Sequence, residues 1–211
     1  PSNHYSSLEI WLWVVGILSF SLFVNSLCSL IAKNGRLALA TLLLFSYFLV
    51  LRLTDLQYGW LNHQFNLAIF SPAVYGQSFF LPSLGDLLLN VICATWVLFF
   101  IYTYKEKYSF PDWLTQNKTA GLVVHTLMLV VLSLMAFHID RLFSGLVYNS
   151  KINFDITNII NLGWASWISI GILCLVWFNV FLLAYIFMQW TKKLNVTNKE
   201  RLLLFLSAFL G

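Results

Sequence analysis

Charge is scarce in this 211-residue chain, with 9% of residues charged against 60% hydrophobic. An ordinary soluble domain carries roughly 25% charged residues, so a water-soluble globule is excluded. Proline is also rare, and none of the four falls inside a long apolar run. That leaves the runs uninterrupted and argues against the broken helices of many transporters. Cys28, Cys93 and Cys174 lie in three different runs with no CxxC spacing, which excludes a disulfide framework and a cysteine-based zinc site. The histidines, at positions 4, 63, 125 and 138, have no metal-ligand spacing. GxSxG, HExxH, Walker and dinucleotide glycine patterns are all missing. An intramembrane aspartyl protease needs two acids at membrane depth; here Asp86 reads as a helix cap, and Asp55 and Asp140 stand at a membrane boundary. The net charge of +4 comes from residues that punctuate the runs without clustering on one face, so no nucleic-acid partner is expected.

What the chain does have is long apolar runs. Five are legible: Ile10 to Ala32, Leu37 to Leu51, Leu84 to Tyr104, Ala120 to Phe137 and Trp164 to Trp190. A helix needs about 20 residues to cross a hydrocarbon layer roughly 30 Å thick. The predicted fold class is therefore all-α, a polytopic transmembrane bundle of five complete spans. A sixth run, from Arg201 to Gly211, is too short to span, and the expectation is that the natural chain continues. Residues 1–211 read as one transmembrane domain. Tryptophans and tyrosines such as Trp11, Trp13, Trp60, Tyr104, Trp113, Trp164 and Trp190 fall near run ends, as in the aromatic belts of membrane interfaces.

Loop charges set an expected orientation. Alternate connections divide the 12 lysines and arginines unequally, nine to three. Lys33, Arg36, Lys105, Lys107, Lys118, Lys192, Lys193, Lys199 and Arg201 share one side; Arg52, Arg141 and Lys151 share the other. By the positive-inside rule the first side is cytoplasmic and residue 1 is extracytoplasmic. The expected location is a membrane crossed several times, with the basic connections in the cytoplasm. The cytoplasmic connections are short and polar, whereas the outer ones, Arg52 to Pro82 and His138 to Asn161, are long and partly apolar, as expected of an ordered cap.

Two helix starts carry capping spacings. Ser83 precedes Asp86 by three residues, as Thr197 precedes Glu200, so hydroxyl and carboxylate can meet the first free N–H groups of a helix. Asp86 is thereby explained structurally, with an external ligand as its second possible role. Inside the runs, Asn25, Asn90, His125 and Asn179 are isolated polar groups and read as interhelical glue.

The remaining charges cluster at the outer ends of the second and fourth runs. Arg52 and Asp55 follow Leu51 three residues apart, and His138, Asp140 and Arg141 follow Phe137. Spacing by three keeps Arg52 and Asp55 on one helix face if the helix continues to Tyr58. Charges near the apolar layer are costly unless paired or hydrated, so Arg52 with Asp140, or Arg141 with Asp55, is the expected cross-helix pairing. The competing expectation is that these side chains simply snorkel to the membrane edge.

Two loop runs carry a family likeness. Phe70 through Asn90, with Pro72, Tyr75, Gly76, Gln77, Pro82, Ser83, Gly85 and Asp86, is followed later by Ile152-Asn153-Phe154-Asp155-Ile156-Thr157-Asn158-Ile159. Together they resemble the N-terminal membrane region of sensor histidine kinases from Bacteroidetes-type bacteria. The resemblance implies a multi-spanning input region that relays an extracytoplasmic or membrane signal to a cytoplasmic kinase domain. That domain is absent from these residues, and with it the phosphoacceptor histidine and any site for ATP and Mg, so no cofactor is expected here. Homodimerisation through the kinase region and a response-regulator partner are implied in the same way. The expected sensing surface comprises Tyr75, Gln77, Asp86, His138, Asp140, Arg141 and Asp155, with Arg52, Asp55, Asp140 and Arg141 as a switchable charge group. Two other readings stay open: a small-molecule or ion transporter subunit, and a non-catalytic membrane anchor.

Overall fold

The computed structural model describes residues 7–59, 68–70, 83–148 and 163–201. Its elements are α1 (Ser7–Lys33), α2 (Leu37–Tyr58), a 3-10 turn (Ala68–Phe70), α3 (Leu84–Tyr104), a second 3-10 turn (Lys105–Lys107), short α4 (Asp112–Gln116), α5 (Lys118–Tyr148) and α6 (Trp164–Thr191). No strand occurs among the described residues. In hydrocarbon every backbone N–H and C=O must be met within its own segment, and helices of 21 to 31 residues do that across the full layer. The five long helices are each long and apolar enough to cross a membrane. The all-α bundle read from the sequence is therefore the observed fold, and the chain is an integral membrane protein.

Two helices outrun their apolar stretches. α2 does not stop at Leu51 but continues to Tyr58, where Gly59 at φ 61° closes it by donating its N–H to the Asp55 carbonyl at 2.7 Å. A left-handed C-terminal glycine is a low-cost stop, because it has no Cβ to clash. α5 runs past Phe137 to Tyr148 and carries His138, Asp140 and Arg141 within its helix. These charges therefore belong to helix extensions, where the sequence had suggested loops.

The main packing order is α1 on α2, α2 on α3, α3 on α6 and α6 on α5. Gly35, at φ 81°, allows the tight return from α1 into α2, where the N–H groups of Asn34 and Gly35 bond the carbonyls of Ile31 and Ala32. α1 and α5 stand at the flanks, and most of their apolar side chains face outward; Trp11, for example, is 68% exposed. Such a surface is stable only under lipid or another membrane segment. One core cluster joins Cys28, Ala32, Leu37, Ala40, Leu44, Phe48 and Phe100 of α1, α2 and α3. A second joins Leu84, Leu87 and Val91 of α3 to Leu146 of α5 and Ile172 of α6.

At one end the basic connections come together. Trp190 Nε1 donates to the Lys105 carbonyl at 3.3 Å, Lys193 Nζ to the Tyr108 carbonyl at 2.8 Å, and Asn195 Nδ2 to the Gln116 carbonyl at 3.3 Å. Thr197 and Glu200 form the expected capping box: the Thr197 N–H donates to Glu200 Oε2 at 3.0 Å, and the Glu200 N–H to Thr197 Oγ1 at 3.4 Å.

Candidate functional site

The buried stripe of α2 runs Leu37, Ala40, Leu44, Phe48, Arg52, Asp55. Those intervals of three and four define a single helix face, so the two charges occupy the packed seam. On α3, Asp86 and Asn90 are four residues apart and share the face that continues through Cys93, Val97 and Phe100, the last three packed in the cluster with α2. Arg52 projects from the first stripe into the second.

Arg52 uses all three kinds of guanidinium nitrogen. Nη1 donates to the carboxylate of Asp55, one turn along its own helix, and Nη2 to Oδ1 of Asp86 on α3. Nε donates to Asn90 Oδ1 at 2.8 Å. Both ion pairs are close contacts between side chains about nine-tenths buried. The other oxygen of Asp86 accepts from the Ser83 hydroxyl, and Ser83 Oγ accepts from the Asp86 N–H at 3.2 Å. Asp86 thus caps α3 and anchors α2 at once. Ionised carboxylates so close to a helix start also gain from the unmet N–H groups there.

The approach to Asp86 is shaped by its neighbour. Phe70 of the 3-10 turn sets one edge of its ring against Gly85, where an added Cβ would sit 2.5 Å from Phe70 Cε1 and 2.6 Å from Cδ1. Gly85 is required here by close approach, not by its backbone angle. Phe70 is itself buried, and Ile69 packs against the core beneath it. The short turn is therefore pressed onto the first turn of α3, beside the carboxylate.

This geometry corrects the expected pairing. The Arg52–Asp55 half of the charge group forms, but its cross-helix partners are Asp86 and Asn90 of the third span, not Asp140 of the fourth. Asp140 and Arg141 are exposed on α5, and the Arg141 guanidinium lies over the Phe137 ring, 4.6 Å from its centroid. His138 is exposed as well, with its ring 6.2 Å from that of Phe137. Nor do Arg52 and Asp55 snorkel, because both are buried. Of the other anticipated sensing residues, Tyr75, Gln77 and Asp155 lie outside the described residues.

The isolated polar groups divide. Asn25 accepts from Trp96 Nε1 at 3.1 Å, tying α1 to α3, and Asn90 belongs to the Arg52 network. Both are interhelical glue, as expected. His125 is not, since neither ring nitrogen has a partner, and Asn179 Oδ1 is also unmet.

Chemically, the network is two carboxylates on one guanidinium, with the Asn90 amide on Arg52 Nε and the Ser83 hydroxyl on Asp86. Among the described residues no group of three or more His, Cys, Asp or Glu is disposed to hold a metal ion. What the network does is fasten two helices at the point where each meets the segment connecting them. No protein-family model, curated protein or solved structure matches the chain.

Proposed function

We propose that the chain is the membrane-embedded input region of a sensor histidine kinase, and that the Arg52 network is the latch its signal acts on. The observation that carries this reading is the position of the two carboxylates. Asp55 lies four residues before the glycine that ends α2, and Asp86 is the third residue of α3. Any pull on the segment joining those helices, which contains Tyr75 and Gln77, is delivered to the two carboxylates that Arg52 holds. A buried ion pair is suited to switching because its contacts are made or lost as a unit, and losing one partner is strongly unfavourable. A ligand that favours the parted arrangement then shifts helix packing by its differential affinity for the two states.

In this reading residue 1 is extracytoplasmic, the basic connections face the cytoplasm of a bacterial cell, and a cytoplasmic output domain receives the signal. ATP, Mg, the dimer contact and the response regulator all belong to that output domain. The resemblance around Phe70 to Asn90 supports the family, and the joint capping and latching role of Asp86 supports the mechanism.

The test uses the complete protein in proteoliposomes. Asp86→Asn should change signal-dependent autophosphorylation by the equivalent of about 1–3 kcal/mol of coupling while leaving ATP binding intact. A complete protein with no autokinase activity overturns the reading. Should Asp86→Asn instead abolish solute uptake into the vesicles, the network is a transport pathway.

A further inference from the structure

A second polar site lies at the basic end of the bundle, marked by hydrogen-bonding groups that nothing meets. His125 of α5 is 8% exposed, and both of its ring nitrogens are buried without a partner. Native interiors rarely leave such a ring unmet, because its water is lost with nothing in return. Gly121 lies one turn earlier on the same face, and there the chain beyond α6 rides directly on α5. A Cβ added to Gly121 would stand 3.3 Å from Val196 Cγ2 and 3.7 Å from the Asn195 backbone nitrogen.

Arg201 folds back over that same segment. Its Nη2 donates to the carbonyls of Thr191 at 2.9 Å and Leu194 at 3.5 Å, while its Nε is buried and bonds nothing. One unmet group thus stands on α5 a turn beyond Gly121, and the other, permanently cationic, is held to the segment that packs against that turn.

We propose that His125 and Arg201 form an anion site that takes the oxygens of a phosphate group. Arg Nε–H and an imidazole N–H are donors, and phosphate offers acceptors to both. Depth favours the same ligand. α5 is 31 residues long, so at 1.5 Å per residue it exceeds a hydrocarbon layer of about 30 Å, and His125 lies roughly 10 Å in from its basic end. That is near the level where headgroups meet acyl chains. An anionic phospholipid and a soluble phosphate present the same chemistry, and the experiment separates them. This site is independent of the sensor reading, because it involves neither Arg52 nor a kinase domain.

The complete chain is purified in neutral detergent, stripped of lipid, and its thermal unfolding followed with three additions: phosphatidylglycerol, a glucosyl-diacylglycerol with the same acyl chains, and inorganic phosphate. A ligand of the folded state raises the midpoint in proportion to its occupancy. Phosphatidylglycerol should raise it and the glucolipid should not. A response to inorganic phosphate alone assigns the site to a soluble anion, and a response to phosphatidylglycerol alone assigns it to a headgroup. H125L and R201Q should each raise the half-saturating concentration at least tenfold. H125L should also start from a higher midpoint than the wild type, because it removes the unmet ring from an apolar span. K199Q, which lowers the charge of the same end, should respond like the wild type. Equal stabilisation by both lipids without an effect of phosphate overturns the proposal, as does an unchanged response in H125L and R201Q.

Discussion

Arg52 of α2 holds Asp86 of α3 by Nη2 while its Nε reaches Asn90, one turn further along the same partner helix. One side chain thereby fixes both the rotation and the height of α3 against α2. Removing it would leave Asp55 and Asp86 buried without their cation. Arg52→Met should therefore cost about 3–5 kcal/mol, the usual penalty for breaking a buried pair from one side. Asp86→Leu in the same molecule should recover part of the loss, with a coupling of about 0.5–3 kcal/mol in the double-mutant cycle. Unfolding in detergent micelles measures all four corners. Additive effects would show that the two side chains do not act together.

Gly85 offers a steric test beside the same network. Its missing Cβ is what admits Phe70, so Gly85→Ala should cost about 1–3 kcal/mol by overpacking. The cost should fall sharply when Phe70 is first changed to Leu, since the contact is with the ring edge. An alanine tolerated equally in both backgrounds would mean that the turn does not press on α3.

Much of the fold was legible because membrane crossing leaves a strong compositional mark. The five runs became five helices with ends displaced by up to about a dozen residues, and both capping spacings formed. The charge pairing was misread because heights were measured from the outer ends of the apolar runs. Counted from the basic ends of the helices at 1.5 Å per residue, Arg52 stands roughly 22 Å up α2, and Asn90 roughly 21 Å above the end of α3. Asp55 and Asp86 both stand at roughly 27 Å, while Asp140 and Arg141 stand at roughly 33 Å up α5. The level partners were thus readable, but Asp86 had already been assigned to capping, and one carboxylate can serve two donors. That α3 packs on α6 and α2, leaving α5 at a flank, had no signature in the sequence, since each apolar helix presents similar residues on every side.

Glu200 gives a pH signature at the other end. Hydrogen bonds from Lys118, and then from Thr197, lower its pKa from the ordinary 4.5 to about 2. Because the folded value is depressed, the stabilisation is fully present above about 4.5 and fades as pH falls toward about 2. Melting points of the wild type and Glu200→Gln should therefore differ near neutrality and converge below pH 3 or so. The gap should also shrink in high salt, because the Lys118–Glu200 pair at 2.6 Å is largely open to solvent on its lysine side. A gap that persists at low pH would mean that the glutamine disrupts the capping turn by shape instead of charge.

Orientation can be read with reporters, because the proposed sensing direction depends on it. Nine of the 12 lysines and arginines lie toward one set of connections, and acids reduce that side only to +6 while leaving the other at −2. Insertion retains positive loops on the cytoplasmic side, at a bias set chiefly by lysine and arginine. An alkaline phosphatase fusion after Lys107 or Lys193 should thus be inactive and a green fluorescent protein fusion at the same points bright. After Gln77 or Asn153 the two reporters should exchange behaviour. The opposite pattern at all four points would place the Arg52 network on the cytoplasmic side, where it could not receive an extracytoplasmic signal directly, and would overturn that part of the proposed function. Neutralising Lys192, Lys193 and Lys199 together should weaken the reporter contrast at the last connection without moving Arg52 from Asp86, because the network is built from residues of other helices.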